Sequence, residues 1–242
     1  MNQIFIRQDF VEDLGYQGFS VLAGLLLNAR KHPMGKEWVC TSPVEIAGVL
    51  MGREPTESDL QAVNKGFRDL TKLNILEKYA HGQYVVHYPM IECNEGKYVF
   101  LKEDEIRTIL NFNEGVNRFS LLQYFAYLKS TFDFKTRVGN SSLTYLQEGS
   151  GKSLLTISKY HQALEGIGVL KVFRFKPIPL SGGSFTYPKN VYCSPEDEES
   201  AMKFIIDSGK FGVLKLEPSI TQSLINEAIT NNRNEKEKGE PL

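Results

Sequence analysis

A chain of 242 residues with 28 Lys plus Arg against 29 Asp plus Glu has a formal net charge of −1. It is not a polycation, and any nucleic-acid surface has to be local. With 41% apolar and 24% charged residues, the composition is that of a soluble protein with one large domain or two small ones.

Cys40, Cys93 and Cys193 are far apart and form no CxxC pair, which points to free, partly buried thiols in a reducing compartment. No basic-then-apolar leader opens the sequence, and the longest apolar stretch, 21–27, is too short to cross a bilayer. A cytoplasmic location and no membrane partner are expected.

In chain order, Ile4-Phe5-Ile6-Arg7 is an extended lead. Leu22, Leu25, Leu26 and Ala29 then recur at helical spacing, in a helix running from near Phe19 to His32-Pro33. Trp38-Val39-Cys40 reads as a short strand. Thr41 or Ser42 caps a helix with Pro43 in its first turn, closing at Gly52. Pro55-Thr56 starts a third helix with Leu60, Val63, Phe67 and Leu70 on one face. After Leu76 the period becomes alternating: 77–80, a His81-Gly82 turn and 84–88 read as a β-hairpin.

The same order returns. Val99-Phe100-Leu101-Lys102 parallels the lead, and 119–132 is a helix carrying Leu122, Phe125 and Ala126. Asn140 or Ser141 caps a short helix to about Glu148, and Gly149-Ser150-Gly151 is the turn. Residues 152–166 form a third helix buried through Leu154, Ile157 and Leu164. Residues 171–176 are a strand, 177–183 a tip, and 184–193 the return strand. Beyond Pro195, Met202, Ile205 and Ile206 mark a helical segment that packs on the second copy or on a partner chain. Pro218-Ser219 starts a last helix, and 231–242 have the composition of a disordered tail.

Three anchors show that this is a repeat. Phe19-Ser20-Val21-Leu22 recurs as Phe119-Ser120-Leu121-Leu122, 100 residues on. Thr41-Ser42-Pro43-Val44 is echoed by Asn140-Ser141-Ser142-Leu143 at 99. Leu70-x-x-Leu73-x-Ile75-Leu76 returns as Leu164-x-x-Ile167-x-Val169-Leu170 at 94. Helix, strand, helix, helix, hairpin is the order of a winged helix. The expected fold is therefore α+β: two tandem winged-helix domains, 1–96 and 97–194, a helical extension 195–230 and a disordered tail 231–242.

Charge separates the two copies. Over 54–88, Lys65, Arg68, Lys72 and Lys78 face Glu54, Glu57, Asp59, Asp69 and Glu77, a net of −1. Over 150–192, six cations face Glu165 alone, a net of +5. A polyphosphate duplex calls for cations on a helix and its wing. Helical phase sets Lys152, Ser153, Thr156, Lys159 and Tyr160 opposite the apolar stripe, as types suited to base edges and phosphates. The Gly-Ser-Gly turn offers backbone N–H groups to a phosphate. Strand alternation puts Lys171, Phe173 and Phe175 on one face of the wing and Val172, Arg174 and Lys176 on the other, where Arg174 and Lys176 are the candidate contacts, with Lys189 on the return strand. In the first copy, Lys65 and Arg68 are the weaker candidates, because Asp59 and Asp69 would repel phosphates.

Catalytic and metal signals are sparse. Gly149-Ser150-Gly151-Lys152-Ser153 imitates the end of a P-loop, but the glycine required five positions before Gly151 is Leu146. His32, His81, His87 and His161 show no metal-ligand spacing, and His161 aligns with Phe67 as a core position. No catalytic residue, metal or cofactor is expected. Tyr124 and Tyr127 fall off the stripe of their helix, and core packing competes there with a self-association face.

The tandem arrangement, with Tyr187-Pro188-Lys189-Asn190-Val191-Tyr192 in the second wing, resembles DNA-binding proteins that start replication of plasmids and phages in Gram-positive bacteria. The resemblance covers about residues 1–194 and implies a non-catalytic, sequence-specific double-stranded DNA-binding protein in replication initiation or its regulation on a mobile element. A homodimer and replication proteins are further candidate partners. A transcriptional regulator using the same surface, and a winged-helix protein-interaction adaptor, are the alternatives.

Overall fold

The computed structural model describes residues 3–31, 38–40, 42–78, 84–86 and 97–215, and their elements are mixed α and β. The first run is a strand Gln3–Arg7 (β1), helices Gln8–Asp13 (α1) and Tyr16–Lys31 (α2), a strand Trp38–Cys40 (β2), helices Pro43–Met51 (α3) and Glu57–Lys72 (α4), and strands Leu76–Lys78 (β3) and Tyr84–Val86 (β4). The second run is Tyr98–Lys102 (β5), Glu103–Asn111 (α5), Arg118–Ser130 (α6), Gly139–Ser141 (β6), Leu143–Ser150 (α7), Leu154–Gly166 (α8), Lys171–Phe173 (β7), Ile178–Pro179 (β8), Phe185–Thr186 (β9) and Asn190–Cys193 (β10). After it come a short helical turn, a helix Glu198–Asp207 (α9) and a second short turn at Phe211–Val213. The sheets repeat as well: β2-β4-β3 in the first run and β6-β10-β7 in the second, both antiparallel.

Local chemistry sets most boundaries. Ser42 accepts the Glu45 N–H at the start of α3, Pro43 sits in its first turn, and Gly52 at φ 63° ends it. Ser142 does the same for α7 by accepting the Tyr145 N–H. The cap expected at Asn140 or Ser141 is thereby corrected, since both lie in β6 and pair with β10. Thr56 and Asp59 form a capping box on α4, and Ser153 caps α8. Such caps contribute about 1 kcal/mol each.

The expected Gly-Ser-Gly turn is also corrected. Gly149 and Ser150 finish α7, and Gly151 at φ 64° makes the turn. The N–H groups there are used internally: Gly151 donates to the Gln147 carbonyl and Lys152 to Ser150 Oγ. Helices α1 and α5 are additions to the expected elements. Each follows its strand without a connecting residue and buries only a short apolar face, Val11 in α1 and Ile106, Ile109 and Leu110 in α5.

Contacts divide the chain into two compact units that do not follow the repeat. One is residues 1–131 with 146–169, and the other is 132–145 with 170–242. In the first unit, every residue of α2 from Gly18 to Leu27 is buried, as is most of α6. Helices apolar all round are core helices. Gly66 of α4 lies so close to α2 that a Cβ there would overlap the Gln17 carbonyl and Val21, and a Cβ on Gly24 would come within 2.8 Å of Ile46 and Leu50 in α3.

Tyr124 and Tyr127 are buried as well, which removes the self-association reading of α6. The Tyr124 hydroxyl is 2.8 Å from His161 Nε2, and Tyr160 donates to Ser120 Oγ. His161 is thus a satisfied core histidine. Lys129 is buried against Phe100 and Phe125 and makes a two-pronged ion pair with Glu105.

β1 and β5 pair antiparallel with Phe5 opposite Phe100 at the centre, Gln3 opposite Lys102, and Arg7 opposite Tyr98. Counted from the helix that follows each strand, Phe5 and Phe100 are equivalent positions of the repeat, so the pair has a local two-fold. Further bonds join the runs inside this unit: Gln123 donates to the Val11 and Leu14 carbonyls, and Asn111 to the Met51 carbonyl.

In the second unit, Val138, Phe173, Phe175, Val191 and Cys193 pack with Ala201, Met202 and Ile205 of α9 and with Leu214. The segment after Pro195 therefore covers the second sheet, as one of the two expectations had it. Burial pushes the Cys193 thiol up to about 12. The expected turn at His81-Gly82, the last helix from Pro218, the tail, and His32, His87 and Cys93 lie outside the described residues.

The two kinds of helical glycine predict opposite outcomes. Gly66→Ala should lower stability by about 1–3 kcal/mol through overpacking against α2. Gly48→Ala in α3, with nothing within 4 Å of the new methyl, should raise it by about 0.5–1 kcal/mol. Urea unfolding midpoints of the two variants check both signs.

Candidate nucleic-acid interface

Helix α8 is anchored by Ile157, Tyr160, His161 and Leu164, which sit at i, i+3, i+4 and i+7. This phase differs from the expected one by part of a turn. Leu154, expected in the core, is 47% exposed, and Tyr160, expected to face DNA, is 6% exposed and bonded to Ser120. Tyr160 is therefore withdrawn as a contact residue. The outward stripe is Leu155, Ser158, Lys159 and Gln162. Lys159 stands as expected, while Ser158 and Gln162 join it as residues the sequence pattern does not single out. Ser153 and Thr156 sit at the helix start, 2.9 Å apart, where Ser153 Oγ also accepts the Thr156 N–H. Lys152 is half-buried in the turn before them.

The repeat itself holds the right phase. At the 94-residue offset, Val63, Gly66, Phe67 and Leu70 of α4 correspond to Ile157, Tyr160, His161 and Leu164, and both sets are buried.

Helix α4 presents Glu57, Gln61, Asn64, Lys65, Arg68 and Lys72 to solvent, and the Gln61 amide donates to the Glu57 carboxylate at 3.4 Å. Lys65 and Arg68 are exposed as expected, with the Lys65 ammonium 5.8 Å from the Tyr16 ring centre. The acidic residues expected to spoil this face do not share it. Asp69 is half-buried beside Gly15 and Gly18 at the start of α2. Asp59 is fully buried, where it receives the Thr56 N–H and hydroxyl at 2.8 Å and Arg53 at 3.1 Å, and forms an ion pair with Arg118 of α6. Burial pushes its carboxyl up, but the bonds from Thr56 and the charges of Arg118 and Arg53 prevail and hold it below the ordinary 3.8.

In the second unit, Lys176 and Lys189 are exposed. Arg174 is half-buried, with Nη1 3.3 Å from the Val172 carbonyl. The expected alternation is only partly kept, because Val172 is buried along with Phe173 and Phe175. Lys171, counted among the cations of this region, is ion-paired with Glu198. The sequence contrast of −1 against +5 therefore narrows from both sides: one acid of the first run is neutralised internally, and one cation of the second is.

Lysine, arginine, glutamine and asparagine on an exposed helix face donate to phosphates and read base edges, Lys and Arg favouring guanine and Gln and Asn adenine. Among the described residues no group of three or more His, Cys, Asp or Glu could hold a metal, and no helix is long and apolar enough to cross a membrane.

Asp59→Asn leaves Arg118 without its counter-ion and should cost about 3–5 kcal/mol at pH 7. Folding holds this carboxyl below its ordinary value. Its contribution is therefore complete above pH 3.8 and is lost as the pH falls through the folded-state value. The gap in urea midpoint between variant and parent should shrink from pH 7 to pH 3. No family model matches the chain, and no curated protein or solved structure does either.

Proposed function

We propose that the chain is a non-catalytic, sequence-specific double-stranded DNA-binding protein built on two tandem winged-helix modules, with α4 and α8 as the reading helices. The element order supports this. In each run a strand, two helices and two further strands of the same sheet follow a long buried helix, and the two helices are joined by a short turn containing a left-handed glycine, Gly52 or Gly151. The observation that carries the reading is the exposed face of the second of those helices. Beyond an exposed Glu57 in the first turn of α4 it carries Gln61, Asn64, Lys65, Arg68 and Lys72, and beyond Leu155 in α8 it carries Ser158, Lys159 and Gln162. A role at a replication origin of a plasmid, phage or other mobile element, by initiation or its regulation, follows from the resemblance of the tandem arrangement. A transcriptional regulator would use the same surface.

One observation favours a second reading, a protein-interaction adaptor. Leu155 is 68% exposed beside Leu154 at the start of α8. Salt dependence separates the two. A duplex enriched from a random pool by the protein should lose about 10³–10⁵ in affinity between 50 and 200 mM salt if six to ten phosphates are bound. Lys65→Ala with Arg68→Ala, and separately Lys159→Ala with Gln162→Ala, should each weaken binding at least tenfold, since one side chain reading a base edge contributes about 1–3 kcal/mol. Failure to enrich any duplex, or binding that does not respond to salt, would overturn the DNA reading and leave the adaptor.

A further inference from the structure

Helix α9 has two faces. Ala201, Met202 and Ile205 pack into the core of the second unit. Ser200, Lys203, Phe204 and Asp207 recur at i, i+3, i+4 and i+7, and with Lys135 and Thr136 of the turn 133–137 they line an open groove of about 600 Å³. Only Phe204 among them is partly buried, against the same core. We propose that this face is the interface of a homodimer, in which Phe134 of each copy sits in the groove of the other and Lys203 of each pairs with Asp207 of the other across a two-fold axis.

Phe134 is the knob. It is 89% exposed, more than any other large apolar side chain among the described residues, and it adjoins Lys135 on the edge of the groove. The turn that carries it is set without it. Asp133 Oδ1 receives the Lys135 N–H at 3.1 Å, the Thr136 N–H at 2.8 Å and the Thr136 hydroxyl at 3.0 Å, and the Arg137 N–H donates to the Asp133 carbonyl at 2.8 Å. The fold therefore makes no use of an aromatic ring at 134. A backbone already fixed by these bonds loses little freedom when its ring is buried against a partner.

Charge selects a second copy as the occupant. The exposed ionised residues of this turn and of α9 are Lys135, Arg137 and Lys203 against Asp133, Glu199 and Asp207, three of each sign. That balance favours neither a polyphosphate nor a partner of a single sign. It suits a face that meets itself.

Lys203 and Asp207 lie one turn apart on α9, yet neither makes an ion pair among the described residues. A lysine placed before an acid is the poorer order for a pair within one helix. When two copies of α9 run antiparallel, a residue one turn before the axis meets one a turn after it, so both charges of each helix are answered by the other. Joined to the DNA-binding reading, such a pair would hold two occupied sites together, but the interface does not rest on that reading.

Sedimentation equilibrium of the full chain without DNA tests this. The parent should show a monomer–dimer equilibrium with a dissociation constant between about 1 μM and 1 mM, since one helix and one turn make a small interface. Phe134→Ser should weaken it at least about tenfold. Lys203→Asp alone and Asp207→Lys alone should each do the same, because the two-fold axis doubles every like-charge contact. The two reversals together restore opposite charges across the axis and should return the constant to within about threefold of the parent. All of these side chains are exposed, so each variant should unfold at the parent's temperature. A parent that stays monomeric up to about 1 mM would overturn the proposal and leave the groove to another occupant. A dimer indifferent to Phe134→Ser, or a double reversal no better than either single one, would overturn it as well. None of these results bears on DNA binding, which is measured separately.

Discussion

Among their described side chains, helices α2 and α6 have almost no solvent-facing side, and the rest of the first unit is arranged to cover them. A helix apolar on one stripe is satisfied by one neighbour, whereas a helix buried all round needs several. α2 is covered by α3, α4 and β1, and it touches α6, which is covered in turn by α1, α5, β5 and α8. The close approaches follow from this requirement. Gly66 lets the backbone of α4 come against α2, and Gly24 does the same for α3. It also explains why the compact unit ignores the repeat boundary, because the long buried helix of the second run finishes the core that the first run leaves open.

The outward faces of the third helices are a by-product of that covering. Once Val63, Gly66, Phe67 and Leu70 are committed to the core, the residues on the other side of α4 are necessarily Glu57, Gln61, Asn64, Lys65, Arg68 and Lys72. The same logic in α8 exposes Ser158, Lys159 and Gln162. Asp59 stands where the covering and the charge pattern meet. It caps α4, is buried with it, and is neutralised by Arg118 at the start of α6 and by Arg53 in the turn before α4. Truncating a buried charge of this kind is far costlier than removing a surface ion pair.

What is legible in the chain is what is decided locally. Ser42, Pro43, Gly52 and Thr56 announce α3 and α4 because a cap needs only its own helix. The pairing of β3 with β4 follows from alternation after Leu76. Three things are not legible in this way. α1 and α5 are too short to show a period. The apolar stripe of α8 can be phased on Leu154 as readily as on Tyr160, and only the alignment with α4, which places Tyr160 opposite Gly66, decides between them. The burial of Asp59 depends on Arg118, 59 residues later, so no local pattern shows that its charge is already answered. In α8, Ser158 and Gln162 are hidden by the same ambiguity of phase. Between Arg174 and Asn190, the cations stand out by charge, whereas Leu180, Phe185 and Tyr187 look like ordinary strand residues until their exposure is known.

The pairing of β1 with β5 through Phe5 and Phe100 has a consequence for how such a chain responds to its own abundance. An isologous contact between separate subunits forms only as fast and as far as concentration allows. Here the two halves of the contact lie on one polypeptide, so the second half is always present at the high effective concentration that a covalent linkage provides. The assembled pair is kept at any dilution. Its occupancy of a target needing both halves would rise in direct proportion to copy number, without the threshold that a dimerisation equilibrium imposes.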